Sequence, residues 1–468
     1  MIDESLVQRA LSAALVNGGD FAEVFVEDRR SSSATLDDGK VEDLTSGRDR
    51  GAGVRVVRGE RTGFAHTSDL SEQGLLAAAQ AAAGAARFAG GAGGAGAASV
   101  VPLSAAADRS ALTVAIQPAE VAKSAKVELL RRAEAAARDA GGAIRQVAVT
   151  VADSRRQILV ASSDGLLARD DQVRTRFSVS CVALGDTGLQ TGRESIGLAV
   201  GWELFDRLAV DDVARKAAAR ALTKLRARPA PTGAMPVVLA AGSGGILFHE
   251  ACGHGLEKDL VDKGASVFAG RVGQQVASPL VTLVDDGTLA GEWGYASIDD
   301  EGRPAARHVL IERGVLTDYL WDRLRAAKAG RPGSANGRRE TYRNLPMVRM
   351  TNTFIENGSG DADAIVADTE RGVYVAQLGG GQVNTASGDF VFGMTEAYLI
   401  EGGRITEPLR EANLIGNGPN ALAAIDALAA DFEMGGPGTC GKDGQGVPVG
   451  TGTPTLRVQS LTIGGTAA

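Results

Sequence analysis

Helical periodicity opens the chain. It runs from Glu4 to Val16 and stops at Asn17-Gly18-Gly19. A period-two pattern then continues to Phe64 and predicts short strands at 22–27, 32–36, 40–45 and 51–57. Asp37-Asp38-Gly39 and Arg58-Gly59-Glu60 supply the hairpin turns. A helix is expected over 69–88, capped by Ser68 or Asp69. Residues 89–99, almost pure Gly and Ala, read as a flexible loop. A second long helix over 120–140, apolar at Val127, Leu130, Ala133 and Ala137, ends at Gly141-Gly142. Strands at 144–153, 157–162, 165–184 (expected to be broken) and 192–201 follow, then a helix over 210–227. Helix, antiparallel strands and helix occur twice, which indicates an α+β layered arrangement.

The pattern changes at Arg228-Pro229-Ala230-Pro231-Thr232-Gly233, where two prolines and a glycine separate a helix from the apolar strand 235–240. We therefore read two domains, 1–231 and 232–468. In the second, turn dipeptides recur at Asp286-Gly287, Glu301-Gly302, Arg313-Gly314, Asn357-Gly358 and Gly402-Gly403. Long helical patterns are scarce there, so this half reads as mostly β, a sandwich or barrel carrying one short helix. Residues 310–317 resemble residues 399–406. Convergence on a good hairpin accounts for this with fewer assumptions than duplication.

Composition narrows the function classes. The 468 residues carry 49 Lys and Arg against 57 Asp and Glu, a formal charge of −8. This gives no global attraction to nucleic acid or to an anionic membrane. No apolar run approaches the ~18 residues of a spanning helix, and the acidic start lacks the features of a signal peptide. Three cysteines, Cys181, Cys252 and Cys440, do not make a disulfide framework. A cytoplasmic protein is the expectation.

The chemistry concentrates in His249-Glu250-Ala251-Cys252-Gly253-His254, which holds two of only four histidines. Two neutral imidazoles can hold Zn²⁺, and an adjacent carboxylate can take a proton from the water the metal activates. The usual spacing is i, i+4; here it is i, i+5. On an ideal helix five residues leave the side chains roughly 140° apart, so a π-type widening or a helix end is required, and Gly253 is well placed for it. Glu257, Asp259, Cys252 and Cys440 are candidates for a third ligand. Cys252 is expected to point away. Chemistry alone leaves Cys440, in a glycine-rich stretch with Lys442 near enough to favour its thiolate, and Glu257 evenly placed. His66 and His308 read as solvated or core histidines. Asp285-Asp286-Gly287 and Asp299-Asp300-Glu301-Gly302 read as tight turns, because they lack calcium-loop spacing.

The stretch from His249 to Glu257 resembles the HExxxH segment of the TldD/PmbA family, in its catalytically competent TldD-type branch. Further similarity lies at Asn336-Gly337-Arg338-Arg339-Glu340, Met350-Thr351-Asn352-Thr353, Gly379-Gly380-Gly381-Gln382-Val383 and Cys440-Gly441-Lys442-Asp443-Gly444-Gln445. The resemblance covers essentially the whole chain, most densely from Gly233 onward. It implies a zinc metallopeptidase acting on unstructured peptides. It also implies His249, His254 and Cys440 as metal ligands, Glu250 as the catalytic carboxylate, and a homodimer or a heterodimer with a zinc-less paralogue.

An extended peptide is the expected substrate, added as a strand to an exposed sheet edge. Gly379, Gly380 and Gly381 would offer unobstructed backbone, and Arg338 and Arg339 would meet a carboxylate or backbone carbonyls; a surface ion pair with Glu340 is the plainer reading of the arginines. Two other functions remain open at this stage: a non-catalytic peptide-binding partner subunit, and a non-peptide metal-dependent amidohydrolase.

Overall fold

The computed structural model describes residues 2–88, 99–105, 112–410 and 412–465. Most of the Ala/Gly-rich stretch lies outside them. Among the described residues, seven strands form the first sheet. Its principal members are Phe21–Asp37, Lys40–Arg58, Arg61–Thr67, Ile144–Ser162, Leu166–Gly185 and Gly188–Leu198. These strands are longer than the sequence pattern suggests. The polar run Asp28–Ser33 does not interrupt its strand, because each residue is paired on both sides: Arg29 faces Asp49 on one neighbour and Arg156 on the other. The 166–185 strand is likewise continuous.

Helices cover one face of this sheet, as the alternation requires. Ala22, Val24 and Val26 meet helices Glu4–Leu15 and Glu72–Phe88. Ala34 and Leu36, on the same face further along, meet helices Lys123–Arg138 and Val210–Leu225. The second helix begins later than expected, and the Ser71 hydroxyl, not Ser68 or Asp69, accepts the Gly74 N–H at 3.2 Å. Phe25 projects from the opposite face, where Ile158, Val160 and Ala168 pack against Ile298 and Tyr342 from the second half of the chain.

In that second half, Arg371–Val383, Gly233–Leu239, Leu456–Gly465, Ala412–Asn417 and Asp389–Glu401 are each hydrogen-bonded to the next, and the last returns to the first. They close a barrel whose inner residues include Val237, Leu239, Val375, Phe392 and Val458. Arg228–Pro229 joins the same sheet by pairing with Leu409 and Arg410. A further sheet runs through Leu283–Asp286, Asn352–Ile355 and Gln445–Thr453. The two similar segments are hairpins in different sheets. Both turn on consecutive left-handed residues, Arg313-Gly314 and Gly402-Gly403, and in both a threonine hydroxyl (Thr317, Thr406) reaches back to a leucine carbonyl. One local geometry, met twice, accounts for the likeness.

Candidate metal centre and active site

After the turn at Ser243-Gly244, the helix Gly245–Phe248 leads into the histidine segment. There the backbone widens. Residues 249–253 form a π turn, with the His254 N–H donating to the His249 carbonyl five residues back. The extra residue brings side chains five apart onto one face, which the i, i+5 spacing demanded. Gly253 contributes room rather than unusual dihedrals. Its φ of −57° is ordinary helix, but a Cβ there would lie 2.2 Å from the Met350 sulfur. The imidazoles of His249 and His254 end with ring centroids 5.3 Å apart.

Cys440 arrives from the far end of the chain. It sits in strand Gly438–Lys442, not a loop, and faces Val447 across a hairpin whose turn is Asp443-Gly444. Its sulfur lies 3.2 Å from Nε2 of His254. The donor atoms of His249, His254 and Cys440 all lie within 4.8 Å of one another, and all three residues are buried. Both ring nitrogens of His249 are buried without any hydrogen-bond partner. A buried imidazole with no partner is costly unless something else takes its lone pair. Two imidazole nitrogens and a thiol at this separation fit a tetrahedral ion such as Zn²⁺, with one position left over. Burial alone would raise the Cys440 thiol, but the neighbouring imidazoles of His249 and His254 bring it down to about 4, which favours the ligating thiolate.

Glu257 is not a member of this triangle. Its Oε2 lies 3.0 Å from Nδ1 of His254, the nitrogen turned away from Cys440. Burial opposes its charge, yet His254 and Lys442 hold its carboxyl down to about 2. Burial likewise opposes charge on His254, while Glu257 and Cys440 hold that imidazole well above its usual range. Lys442 is committed to Glu257 at 2.7 Å and Asp259 at 2.8 Å, which removes it and Asp259 from the roles first considered. Cys252 points into the core with Leu247 and Phe248, and burial pushes its thiol up.

Glu250 is partly exposed, with Oε2 3.6 Å from Nε2 of His254. With His249 and Cys440 it lines a cleft of about 680 Å³ between the two halves of the chain. The opposite wall is Glu194–Leu198, the end of a strand that, among the described residues, pairs on one side only. Gly379 lies in an adjoining hollow of about 210 Å³. A Cβ at Gly380 would meet nothing within 4 Å, whereas one at Gly381 would strike the Phe392 ring. Gly381 is therefore a packing glycine.

Arg338 and Arg339 correct the sequence reading, and neither pairs with Glu340 at a surface. Both are buried. Arg338 donates to the carbonyls of Met350 and Pro448, and Arg339 to Glu23 and the Asp300 carbonyl. Neither lines the cleft beside Glu250. The acidic stretches do make turns, closed by Gly302 N–H to the Asp299 carbonyl and Thr288 N–H to the Asp286 carboxylate, but their side chains are buried. Asp285 accepts hydrogen bonds from Thr351, Thr353 and Asn336, and Asp300 and Glu301 pair with Arg156 and Arg55.

Three models of one family match successive parts of the chain: PmbA/TldA metallopeptidase domain 1 at residues 22–86, the central domain at 116–225 and the C-terminal domain at 232–465. The chain belongs to the TldD/PmbA metallopeptidase family. A Haemophilus influenzae protein named Metalloprotease TldD homolog is 40% identical over 454 residues, covering 96% of this chain and 93% of that one. A Methanothermobacter thermautotrophicus Metalloprotease is 34% identical, with 96% of each chain covered. A Saccharolobus solfataricus Zinc metalloprotease TldD homolog is 32% identical over 265 residues, covering 56% of this chain and 58% of that one. Among solved structures, TldE from Thermococcus kodakarensis superposes with a TM-score of 0.78 at 19% identity, covering 98% of this chain and all of that one. At that identity the likeness concerns the fold alone. Among the described residues, no helix is long and apolar enough to cross a membrane.

Proposed function

We propose that this chain is a zinc-dependent peptidase that hydrolyses extended peptides. The observation that carries the reading is the cluster of His249, His254 and Cys440 donors beneath an open cleft, with Glu250 on the open side. Zn²⁺ bound there would supply Lewis acidity and lower the pKa of an attacking water toward ~7. The chain's own residues do the rest. His249, His254 and Cys440 hold the ion. Glu250 accepts the proton of the water that attacks the scissile carbonyl and passes it to the leaving amine. The one-sided strand end at Ser195–Leu198 offers backbone groups to an added strand, so recognition rests on the peptide backbone with loose sequence preference. Such a site rejects folded proteins, whose strands are already paired.

The rest of the reading follows the family. The chain divides into domains 1–231 and 232–468, acts in the cytoplasm, and works as a dimer, either with itself or with a zinc-less paralogue.

Zinc per chain and cleavage of an unstructured peptide, measured on the native protein and on Cys440→Ala, test this. About one zinc per native chain, with zinc and cleavage both lost in the variant, is expected. Zinc retained in Cys440→Ala would remove Cys440 from the ligand set. Zinc without peptide cleavage, even after the paralogue is added, would favour an amidohydrolase acting on a non-peptide substrate.

A further inference from the structure

We infer that Glu257 and Lys442 form a buried clasp that locks the histidine segment to the cysteine strand and determines which nitrogen His254 presents to the ion. This rests on the reading that His249, His254 and Cys440 hold a metal. The two segments are almost two hundred positions apart in the chain, yet the ligands and the clasp occupy matching places on them. Glu257 follows His254 by three residues, and Lys442 follows Cys440 by two, hence on the same side of its strand.

The hydrogen bonding is specific. A carboxylate only accepts, so Oε2 of Glu257 at 3.0 Å requires the hydrogen of His254 to sit on Nδ1. In the neutral, ligating form of the ring, that leaves the Nε2 lone pair directed at the Cys440 side. The Lys442 ammonium has three N–H groups and three acceptors: Glu257 at 2.7 Å, Asp259 at 2.8 Å and the Val348 carbonyl at 3.1 Å. The imidazole and the ammonium converge on Oε2, while Oε1 of Glu257 is buried without a partner. A carboxylate present only to satisfy its own burial would use both oxygens. Behind the strand, Arg349 donates to the backbone carbonyls of Cys440 and Gln445, so the sulfur's own residue is held from a second direction. Together these contacts assemble the ligand triangle before an ion arrives. Glu257 and Lys442 are positioning residues: they act through His254 and Cys440 and touch neither the ion nor a peptide. Partners of this kind on a ligating histidine typically change metal affinity by roughly ten- to a hundredfold.

The test compares zinc-free native protein with Glu257→Gln, Lys442→Met and the double variant. Zinc affinity is read by competition with a chromophoric chelator, and thermal stability is read without zinc. Each single variant is expected to bind zinc roughly ten- to a hundredfold more weakly. The double variant should be no weaker than the worse single one, because both changes open the same clasp. Unchanged zinc affinity in a folded single variant overturns the inference, even if its Tm falls, since that marks a purely structural pair. Losses that multiply in the double variant overturn it as well. If Glu257→Gln does not fold, Lys442→Met decides by its zinc affinity alone. A native protein that binds no zinc defeats the metal reading itself, whereas zinc bound equally by all four proteins defeats only the clasp.

Discussion

Two buried polar clusters lie in this molecule, and they are built on opposite rules. At the junction between the halves, several buried charges meet opposite ones, while Arg174 and Arg338 are satisfied by backbone carbonyls. Arg55 bridges Glu23 at 2.8 Å and Glu301 at 2.7 Å, and Arg156 bridges Glu27 at 2.6 Å and Asp300 at 2.8 Å. Arg339 pairs with the same Glu23 and stacks 4.3 Å over the Phe25 ring. In the cleft, Glu257 is tied to His254 and Lys442, and His254 to Cys440, but His249 is left over. His249 has no partner at all. A burial cost met by pairing marks structure; a burial cost left standing beside a cleft marks a place where a ligand completes the set. Carboxylates and arginines occur in both clusters, so residue type alone does not separate them.

The sharpest way to break this contrast is Glu250→Gln. The change keeps shape and leaves the three donors intact. Peptide cleavage should fall by roughly 10²–10⁴-fold, the range for loss of a general base, while zinc content and Tm stay near native values. A variant that cleaves at the native rate removes Glu250 from the chemistry. Loss of zinc with activity would instead make it a ligand.

Arg339→Met makes the opposite substitution, in the paired cluster. Arg339 and Glu23 are both buried, and removing Arg339 leaves Glu23 to share Arg55 with Glu301, so stability should drop, though by less than the roughly 3–5 kcal/mol of a fully uncompensated buried charge. Zinc content and cleavage per folded molecule should remain native at a temperature where the variant is folded. Denaturant unfolding beside peptide cleavage measures both. Selective loss of cleavage at native stability would return Arg339 to the substrate-binding role its position in the sequence suggested.

That reversal shows where the sequence is legible. Glu4–Leu15 and the helices near 123–138 and 210–225 follow from apolar periodicity, because one face of each is buried and the other is not. The i, i+5 spacing required either a π-type widening or a helix end near His254, and the structure takes the π turn at His249–Gly253. Strand lengths do not follow. The polar run Asp28–Ser33 looks like a break until the strands on both sides supply its hydrogen bonds. Long-range pairings are equally hidden. Nothing near Arg339 announces Glu23, and nothing near Lys442 announces Glu257, because the contacts depend on the closed fold. Glu257 left a partial signal, lying one helical turn beyond His254, but that position suits a ligand and an orienting partner equally. Only the coordinates separate Nδ1 from Nε2.

The finest test of the contrast is pH. Burial alone would raise the carboxyls of Asp300 and Glu23, but Arg156 and Arg339 beside the first, and Arg55 and Arg339 beside the second, hold both below the ordinary carboxylate range. A carboxyl whose folded pKa is depressed binds its proton more readily in the unfolded chain. Its contribution is therefore complete above the ordinary value of about 4 and is lost as pH falls through the lower, folded value. Arg156→Met removes the guanidinium that holds Asp300 down. Its Tm should lie below native at neutral pH, and the gap should narrow as pH falls below about 4, because the variant has less charge-dependent stability left to lose. Thermal unfolding of both proteins from pH 7 to pH 3 measures this. A gap that stays constant would mean that Arg156 contributes through packing over Phe25, 5.5 Å from its guanidinium, rather than through Asp300. The junction would then be held by shape and apolar contact as much as by charge, and pairing would no longer be what distinguishes it from the cleft.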